Sequence, residues 1–225
     1  MSDRIHVIDH PLIQHKLTIA RNATTGTKKF REVIHELSLL MGYEATKGFP
    51  LRETEIEGPI QRAKTFELAG KKVAVVAVLR SGLGMVDGIL ELIPNAKVGH
   101  VGMFRDPETL EPKRYFCQLP DDIDRRQVLV LDPMLATGGS AIATIQLLKD
   151  RGANDVSLIC IIAAPEGIHR VAESFAGVHI YTCAIDEHLD GSGLIVPGLG
   201  DVGDRLFGTE SPRTVSAEEC GPVHD

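Results

Sequence analysis

The sequence predicts an α/β fold: a mainly parallel sheet with helices on both faces and a flap over the site. Three features lead to it. Helix-period and strand-like segments alternate through the middle of the chain. The strand-like segments are almost continuously apolar, as strands covered on both faces must be. Two of them run through a glycine-bearing loop straight into a helix, the connection that builds parallel sheets.

Taken in order, Phe30, Val33, Ile34, Leu37, Leu40 and Met41 recur at spacings of three and four, the period of an amphipathic helix. Val73 to Leu79 reads as a strand buried on both faces. Met85, Val86, Ile89, Leu90 and Ile93 give a short helix that Pro94 stops. Val98 to Met103 is a weaker strand and Val128 to Leu131 a buried one. Ile142, Ile145 and Leu148 carry the next helix, which ends in Lys149 and Arg151 before Gly152, basic residues and then a glycine where a helix closes. Val156 to Ala163 is a strand, Ile168 to Phe175 a helix, and Val178 to Cys183 a strand. Phe104 to Pro120 is polar, holds three prolines and is long for a connector, so it reads as the flap.

The 225 residues suit one domain, expected over residues 1–209. Residues 210–225 hold prolines and small residues without periodicity and are expected to be a disordered tail. The chain is 43% hydrophobic and 24% charged, enough apolar side chain for a sizeable core. With 24 Lys and Arg against 31 Asp and Glu the formal charge is −7, which argues against a mainly electrostatic grip on nucleic acid while allowing a local basic pocket. The longest apolar runs, Val73 to Leu79 and Leu158 to Ala164, fall far short of the roughly 20 residues that span a membrane. The N-terminus lacks a charged-then-apolar leader, so a soluble, cytoplasmic protein is expected. No two of Cys117, Cys160, Cys183 and Cys220 have zinc-knuckle or redox-pair spacing, and Cys160 and Cys183 sit in strand-like runs as buried thiols. His6 and His10 have ligand-like spacing, but Pro11 follows and no helix aligns them; no resident metal is expected.

Two patterns lack the context their chemistry needs. Gly198, Gly200 and Gly203 match G-x-G-x-x-G, but the chain ends before a βαβ unit could be completed. Asp186 to Gly191 faintly matches a calcium loop whose third and twelfth ligands fail, at His188 and Pro197.

The chemistry concentrates in Val128 to Ser140. A buried strand ending at Asp132 puts a carboxylate at the carboxyl edge of the sheet, where open α/β folds bind ligands. Pro133 keeps Asp132 extended. Thr137, Gly138, Gly139 and Ser140 then lead into a helix, so amides, hydroxyls and a helix dipole converge as a phosphate dianion requires. A carboxylate beside a phosphate cradle suits a sugar phosphate. Arg80 to Gly84 repeats the strand–loop–helix logic, with two glycines for close backbone approach and a fixed positive charge on Arg80. Ile195 to Val202 is an apolar, glycine-rich turn able to present main-chain groups to a flat base.

The thirteen residues Val128 to Ser140 resemble the phosphoribosyltransferase signature, with Pro133 where the usual pattern has a second acidic residue, and the form of Asp132 to Ser140 is similar to that of the uracil phosphoribosyltransferases. His10-Pro11-Leu12, Tyr43 to Thr46, Arg80 to Met85, the Arg105 segment and Pro197 to Asp201 follow in that family's order, over roughly residues 6 to 209. The resemblance implies a type I phosphoribosyltransferase fold and transfer of a phosphoribosyl group from 5-phosphoribosyl 1-diphosphate (PRPP) to uracil, giving uridine monophosphate and diphosphate. By resemblance, PRPP contacts fall on Arg80, Arg105, Asp132, Pro133, Met134, Leu135, Ala136, Thr137, Gly138, Gly139, Ser140 and Asp201. Uracil contacts fall on Ile195, Gly200, Asp201 and Val202. Asp132 and Asp201 would have supporting catalytic roles, and Mg2+ would arrive with PRPP rather than on protein ligands. Leu194 stands where many relatives carry an aromatic. Homo-oligomers are common among relatives, and GTP activates some of them; the sequence leaves both open here. A non-catalytic PRPP-binding regulator is the alternative, which the full set of loops disfavours.

Overall fold

The computed structural model describes residues 3–105 and 112–209. In chain order the elements are β1 (Ile5–Val7), α1 (Pro11–Arg21), α2 (Thr27–Ala45), β2 (Leu51–Glu57), β3 (Arg62–Leu68), β4 (Val73–Leu79), α3 (Leu83–Leu92), β5 (Lys97–Arg105), β6 (Pro112–Gln118), a 3-10 turn (Ile123–Arg125), β7 (Gln127–Leu131), β8 (Met134–Leu135), α4 (Gly139–Asp150), β9 (Asp155–Ala163), α5 (Pro165–Ser174), β10 (His179–Ile185), β11 (His188–Leu189), β12 (Ile195–Val196) and α6 (Val202–Phe207). The main sheet runs β1-β10-β9-β7-β4-β5-β6, with the short β8 pairing onto β9. Every pairing in it is parallel except β5 with β6.

The apolar strands are apolar throughout because both faces are covered. Along β4, Val73, Val75 and Ala77 enter a core with α1, α2, α3 and α6, while Ala74, Val76 and Val78 enter a second core with α4 and α5. The first core holds Phe30, Leu37, Met41 and Ile89, and the second Ile145, Leu148 and Val171, all fully buried. Cys160 and Cys183 are buried thiols, one in each core. α1 starts where Pro11 opens the first turn and His10 Nδ1 accepts the Leu12 N–H at 3.1 Å. α4 ends on Arg151 before Gly152 at φ +84, the left-handed residue that closes a helix.

Two segments depart from the sequence expectation. The stretch from Phe104 to Pro120 is in large part the antiparallel edge of the sheet, not a long connector, because β5 extends to Arg105 and β6 pairs back from Pro112 to Gln118. An edge strand facing solvent is polar, which is why it reads as a loop. Residues 106–111 and the expected tail at 210–225, with Cys220, lie outside the described residues. The second departure is the β2–β3 hairpin, a separate two-stranded sheet. Neither face is buried, so no hydrophobic period marks it; cross-strand ion pairs Arg52–Glu67 (2.7 Å) and Glu57–Arg62 (2.6 Å) link its strands.

Candidate active site

The parallel neighbours β4 and β7 end side by side, and the loops after them form the floor of a cleft. The loop from Asp132 to Gly138 is stitched to β9: the Pro133 carbonyl accepts the Ile161 and Ile162 N–H groups at 3.0 and 3.1 Å, and the Leu135 carbonyl accepts that of Ala164 at 2.9 Å. With its outer side held in this way, the loop turns through Gly138 at φ +79 and enters α4. Asp132, Met134, Leu135, Ala136, Thr137, Gly138, Gly139 and Ser140 line one cavity of about 190 Å³, together with Leu79 and Ser81 from the neighbouring loop. This is a helix N-terminus with glycine amides and hydroxyls around it, the arrangement that receives a phosphate. α5 supports it from behind. A Cβ on Gly167 would sit 2.3 Å from the Ala136 carbonyl oxygen, so the helix touches the loop backbone, and Arg170 Nη1 donates to the Thr137 carbonyl at 2.6 Å.

Asp132 is 8% exposed. Burial pushes its pKa up to about 7, against a smaller opposing pull from the Met134 N–H. Near neutral pH this carboxyl is therefore poised between its two protonation states, as suits a group that gains partners when a polar ligand arrives.

Arg80 follows β4 and turns toward α6. Its Nη2 donates to Asp204 Oδ1 at 3.1 Å and its Nη1 to Thr209 Oγ1 at 3.3 Å, while the Thr209 hydroxyl donates to the same carboxylate at 2.6 Å. Asp201 caps α6, its Oδ1 accepting the Asp204 N–H at 2.9 Å. A Cβ on Gly203 would lie 3.2 Å from Asp201 Oδ1 and 3.5 Å from Arg80 Nη2, so both charged groups crowd onto that one glycine.

The turn from Ile195 to Val202 is held at several points. β11 and β12 pair as a short hairpin, and the Val196 carbonyl accepts the Glu187 N–H at 2.9 Å. Gly198, at φ +66, closes so tightly that a Cβ would lie 2.0 Å from the Ile195 carbonyl oxygen. Arg205 Nη1 donates to the Leu199 and Ala20 carbonyls at 2.8 and 2.6 Å, with its guanidinium 4.0 Å over the Phe30 ring. Ile195 and Val202 are buried, while Gly200 and Asp201 stand at the surface.

Among the residues singled out from sequence, the cradle residues come together in one cavity, but Pro133 does not line it and instead gives its carbonyl to β9. Arg80 and Asp201 meet at α6 rather than in that cavity. The Arg105 side chain lies outside the described residues. Leu194 is exposed, and its N–H donates to Asp190 Oδ1 at 2.9 Å. Ser81 lies in the Arg80 loop singled out from sequence, while sequence reasoning missed Asp204, Arg170, Arg21 and Asp186. The last two pair with each other across 165 positions beside the Ile195–Val202 turn, and Asp186 lay in the segment set aside as a failed calcium loop.

The comparisons with known proteins agree with this geometry. The uracil phosphoribosyltransferase family model matches residues 7–209. The uracil phosphoribosyltransferase of Levilactobacillus brevis is 58% identical over 207 residues, covering 92% of this chain and 99% of that protein. That of Alkaliphilus oremlandii is 59% identical over the same shares. Among solved structures, the AQ2163 protein of Aquifex aeolicus superposes with a TM-score of 0.87 at 39% identity, covering 92% of this chain and all of that one. A family match over nearly all the described residues, on a fold that brings its loops to one sheet edge, leaves one conclusion: the chain belongs to the uracil phosphoribosyltransferase family.

Proposed function

We propose that this protein transfers the phosphoribosyl group of PRPP to uracil, releasing diphosphate and forming uridine monophosphate. The observation that carries the reading is the meeting of Asp132 with the glycine–hydroxyl cradle at the N-terminus of α4, on the carboxyl edge of β7. In this reading Met134 to Ser140 hold the 5-phosphate, with Pro133 fixing the loop, and Asp132 accepts hydrogen bonds from the ribose hydroxyls. Arg80 and Arg105 take the diphosphate, and Ile195, Gly200, Asp201 and Val202 take uracil. The bond from the anomeric carbon to diphosphate lengthens as N1 of uracil approaches, the N1 proton leaves to water or to the departing diphosphate as the new bond forms, and charge grows on the leaving oxygens, which the arginines would stabilise. Alignment of two bound substrates with exclusion of water supplies much of the acceleration.

Mg2+ would arrive with PRPP rather than on protein ligands; among the described residues no group of three His, Cys, Asp or Glu side chains is placed to hold a metal ion. When bound it neutralises charge on the diphosphate; Asp132 and Asp201 are the carboxylates suited to hydrogen-bond its waters. The reading places the enzyme in the cytoplasm; no described helix is long and apolar enough to cross a membrane. The reading also includes one domain over residues 1–209 and a homo-oligomer. The β2–β3 hairpin supports the oligomer, because Ile60, Phe66 and Leu68 are 94%, 66% and 64% exposed on an isolated two-stranded sheet that a second copy would cover.

GTP is included as an allosteric activator. In support, a cavity of about 600 Å³ lies at the amino end of β4, across the sheet from the cradle, with Lys71, Lys72, Lys97 and Arg126 around it. Asp122 pairs with Lys97 and Arg126 there, so Lys71 and Lys72 are the side chains suited to a triphosphate. Exchanging Lys71 and Lys72 for Ala should bring the ratio of rates with and without GTP to one; an unchanged ratio above one would move the effector elsewhere.

The primary test is diphosphate release with Mg2+ and PRPP, with uracil, cytosine, adenine, hypoxanthine and orotate offered separately. Release with uracil alone is expected. Release with another base would retain the PRPP site but overturn the assignment of Ile195 to Val202.

A further inference from the structure

We propose that Arg21 and Asp186 form a clamp that fixes the base turn and thereby sets its affinity and selectivity for uracil, a positioning role that rests on the assignment of Ile195 to Val202 above. Arg21 ends α1, and Asp186 follows β10. The two form a fork, Nη1 to Oδ2 at 2.8 Å and Nη2 to Oδ1 at 2.5 Å. Between them they take both polar groups of one peptide residue: Asp186 Oδ2 accepts the Gly198 N–H at 2.9 Å, and Arg21 Nη1 donates to the Gly198 carbonyl at 2.9 Å. The Asp186 N–H in turn donates to the Ala163 carbonyl at 2.8 Å, so the clamp is anchored to β9 in the centre of the sheet.

The cost of this arrangement suggests its purpose. Asp186 is 7% exposed, and burying an ion pair gains less than an apolar pair of similar size would. A simple tie between α1 and β10 could have been made of leucines. What apolar side chains cannot do is dictate the orientation of a peptide group. Gly198 sits at the apex of the turn, where its tight closure sets Ile195 on one side against Gly200 to Val202 on the other. A base edge is read by donors and acceptors whose directions are fixed. A turn free to rotate a peptide could satisfy cytosine as readily as uracil, whereas a fixed one leaves buried groups unpaired with the wrong base. Arginine is required because its planar fork can hold the carboxylate and still donate to the Gly198 carbonyl; a lysine ammonium is a single point.

The test uses the full chain, with Asp186→Asn and Arg21→Lys made separately and KM measured for each substrate. In Asp186→Asn the KM for uracil should rise at least about tenfold while the KM for PRPP stays within about threefold, the signature of lost base binding. In Arg21→Lys the same split should appear at smaller amplitude, because the charge is retained and the fork is lost. Discrimination between uracil and cytosine, measured as the ratio of kcat/KM, should fall in both. A merely structural tie predicts lower Tm and less active protein with both KM values intact, and that result overturns the clamp. Should Asp186→Asn fail to fold, Arg21→Lys decides alone by the same split. If the wild-type protein turns over uracil but neither variant changes its KM for uracil, only the clamp falls. If the wild-type protein does not use uracil, the base-turn assignment falls and the clamp with it.

Discussion

Asp132→Asn should lower turnover at pH 8 by at least about a hundredfold while making the free protein more stable at the same pH. The two effects have one origin. Burial raises the Asp132 pKa from 3.8 to about 7 in the folded chain. Between these values the native state holds a proton that the unfolded chain has released, so stability falls as pH climbs from about 4 to about 7 and then levels off. The charged carboxylate costs the folded, unliganded protein about 4 kcal/mol at most above pH 7, at 1.36 kcal/mol for each tenfold change in its proton affinity. Asparagine keeps the shape and removes the cost. For a chain of this size each kcal/mol moves Tm by about 2–4 °C, so the melts of the two proteins should already differ modestly at pH 5 and clearly more at pH 8. In activity the order reverses: kcat/KM of the wild-type protein should rise through about pH 7 as Asp132 ionises, and that limb should vanish in the variant. Near-normal turnover would remove Asp132 from the site. An unchanged Tm difference between the two pH values would mean that the carboxylate is already compensated in the free protein.

Such a carboxylate was legible in the sequence because its signal is local: a doubly buried strand, an acidic residue at its end, then Thr137, two glycines and Ser140 before a helix. β4, β7 and β9 were legible for a similar reason, since a strand covered on both faces is apolar at nearly every position. Where burial is one-sided or absent, that signal goes. The β2–β3 hairpin exposes both faces, and β6 lies at the sheet edge with Lys113, Arg114, Tyr115 and Phe116 exposed. The partners of the site residues were the least legible. Nothing near Arg80 in sequence indicates that Asp204 and Thr209 will hold its guanidinium, and nothing near Gly198 indicates Arg21. These contacts are products of topology: α1 and α6 pack on the same face of the sheet, and only the assembled core brings their ends to the turn.

Gly82 shows how much such a site depends on close approach, and Gly82→Ala should weaken PRPP binding by about a hundredfold or more. Its φ of −59 suits any residue, so conformational freedom is not what requires glycine. Space is. An added Cβ would lie 2.4 Å from the Leu131 carbonyl oxygen and 2.6 and 2.7 Å from the carbonyl oxygen and nitrogen of Val78. All three atoms are backbone, at the ends of β7 and β4, and no rotamer change can relieve the contact. The methyl group would drive the Arg80 loop away from Leu131, the residue immediately before Asp132, and so part the arginine loop from the Asp132 carboxylate. Overpacking of this kind costs about 1–3 kcal/mol of stability. Gly84→Ala is the control, since the atoms nearest its Cβ, the Leu206 terminal methyls at 2.7 and 2.9 Å, are the far end of a flexible side chain rather than backbone. Titration calorimetry with PRPP should therefore rank wild type, then Gly84→Ala, then Gly82→Ala, with melts showing Gly82→Ala still folded at the assay temperature. If Gly82→Ala kept wild-type affinity, the diphosphate could not depend on this loop. If it lost affinity only by unfolding, the glycine would be a packing requirement of the sheet and not of the site.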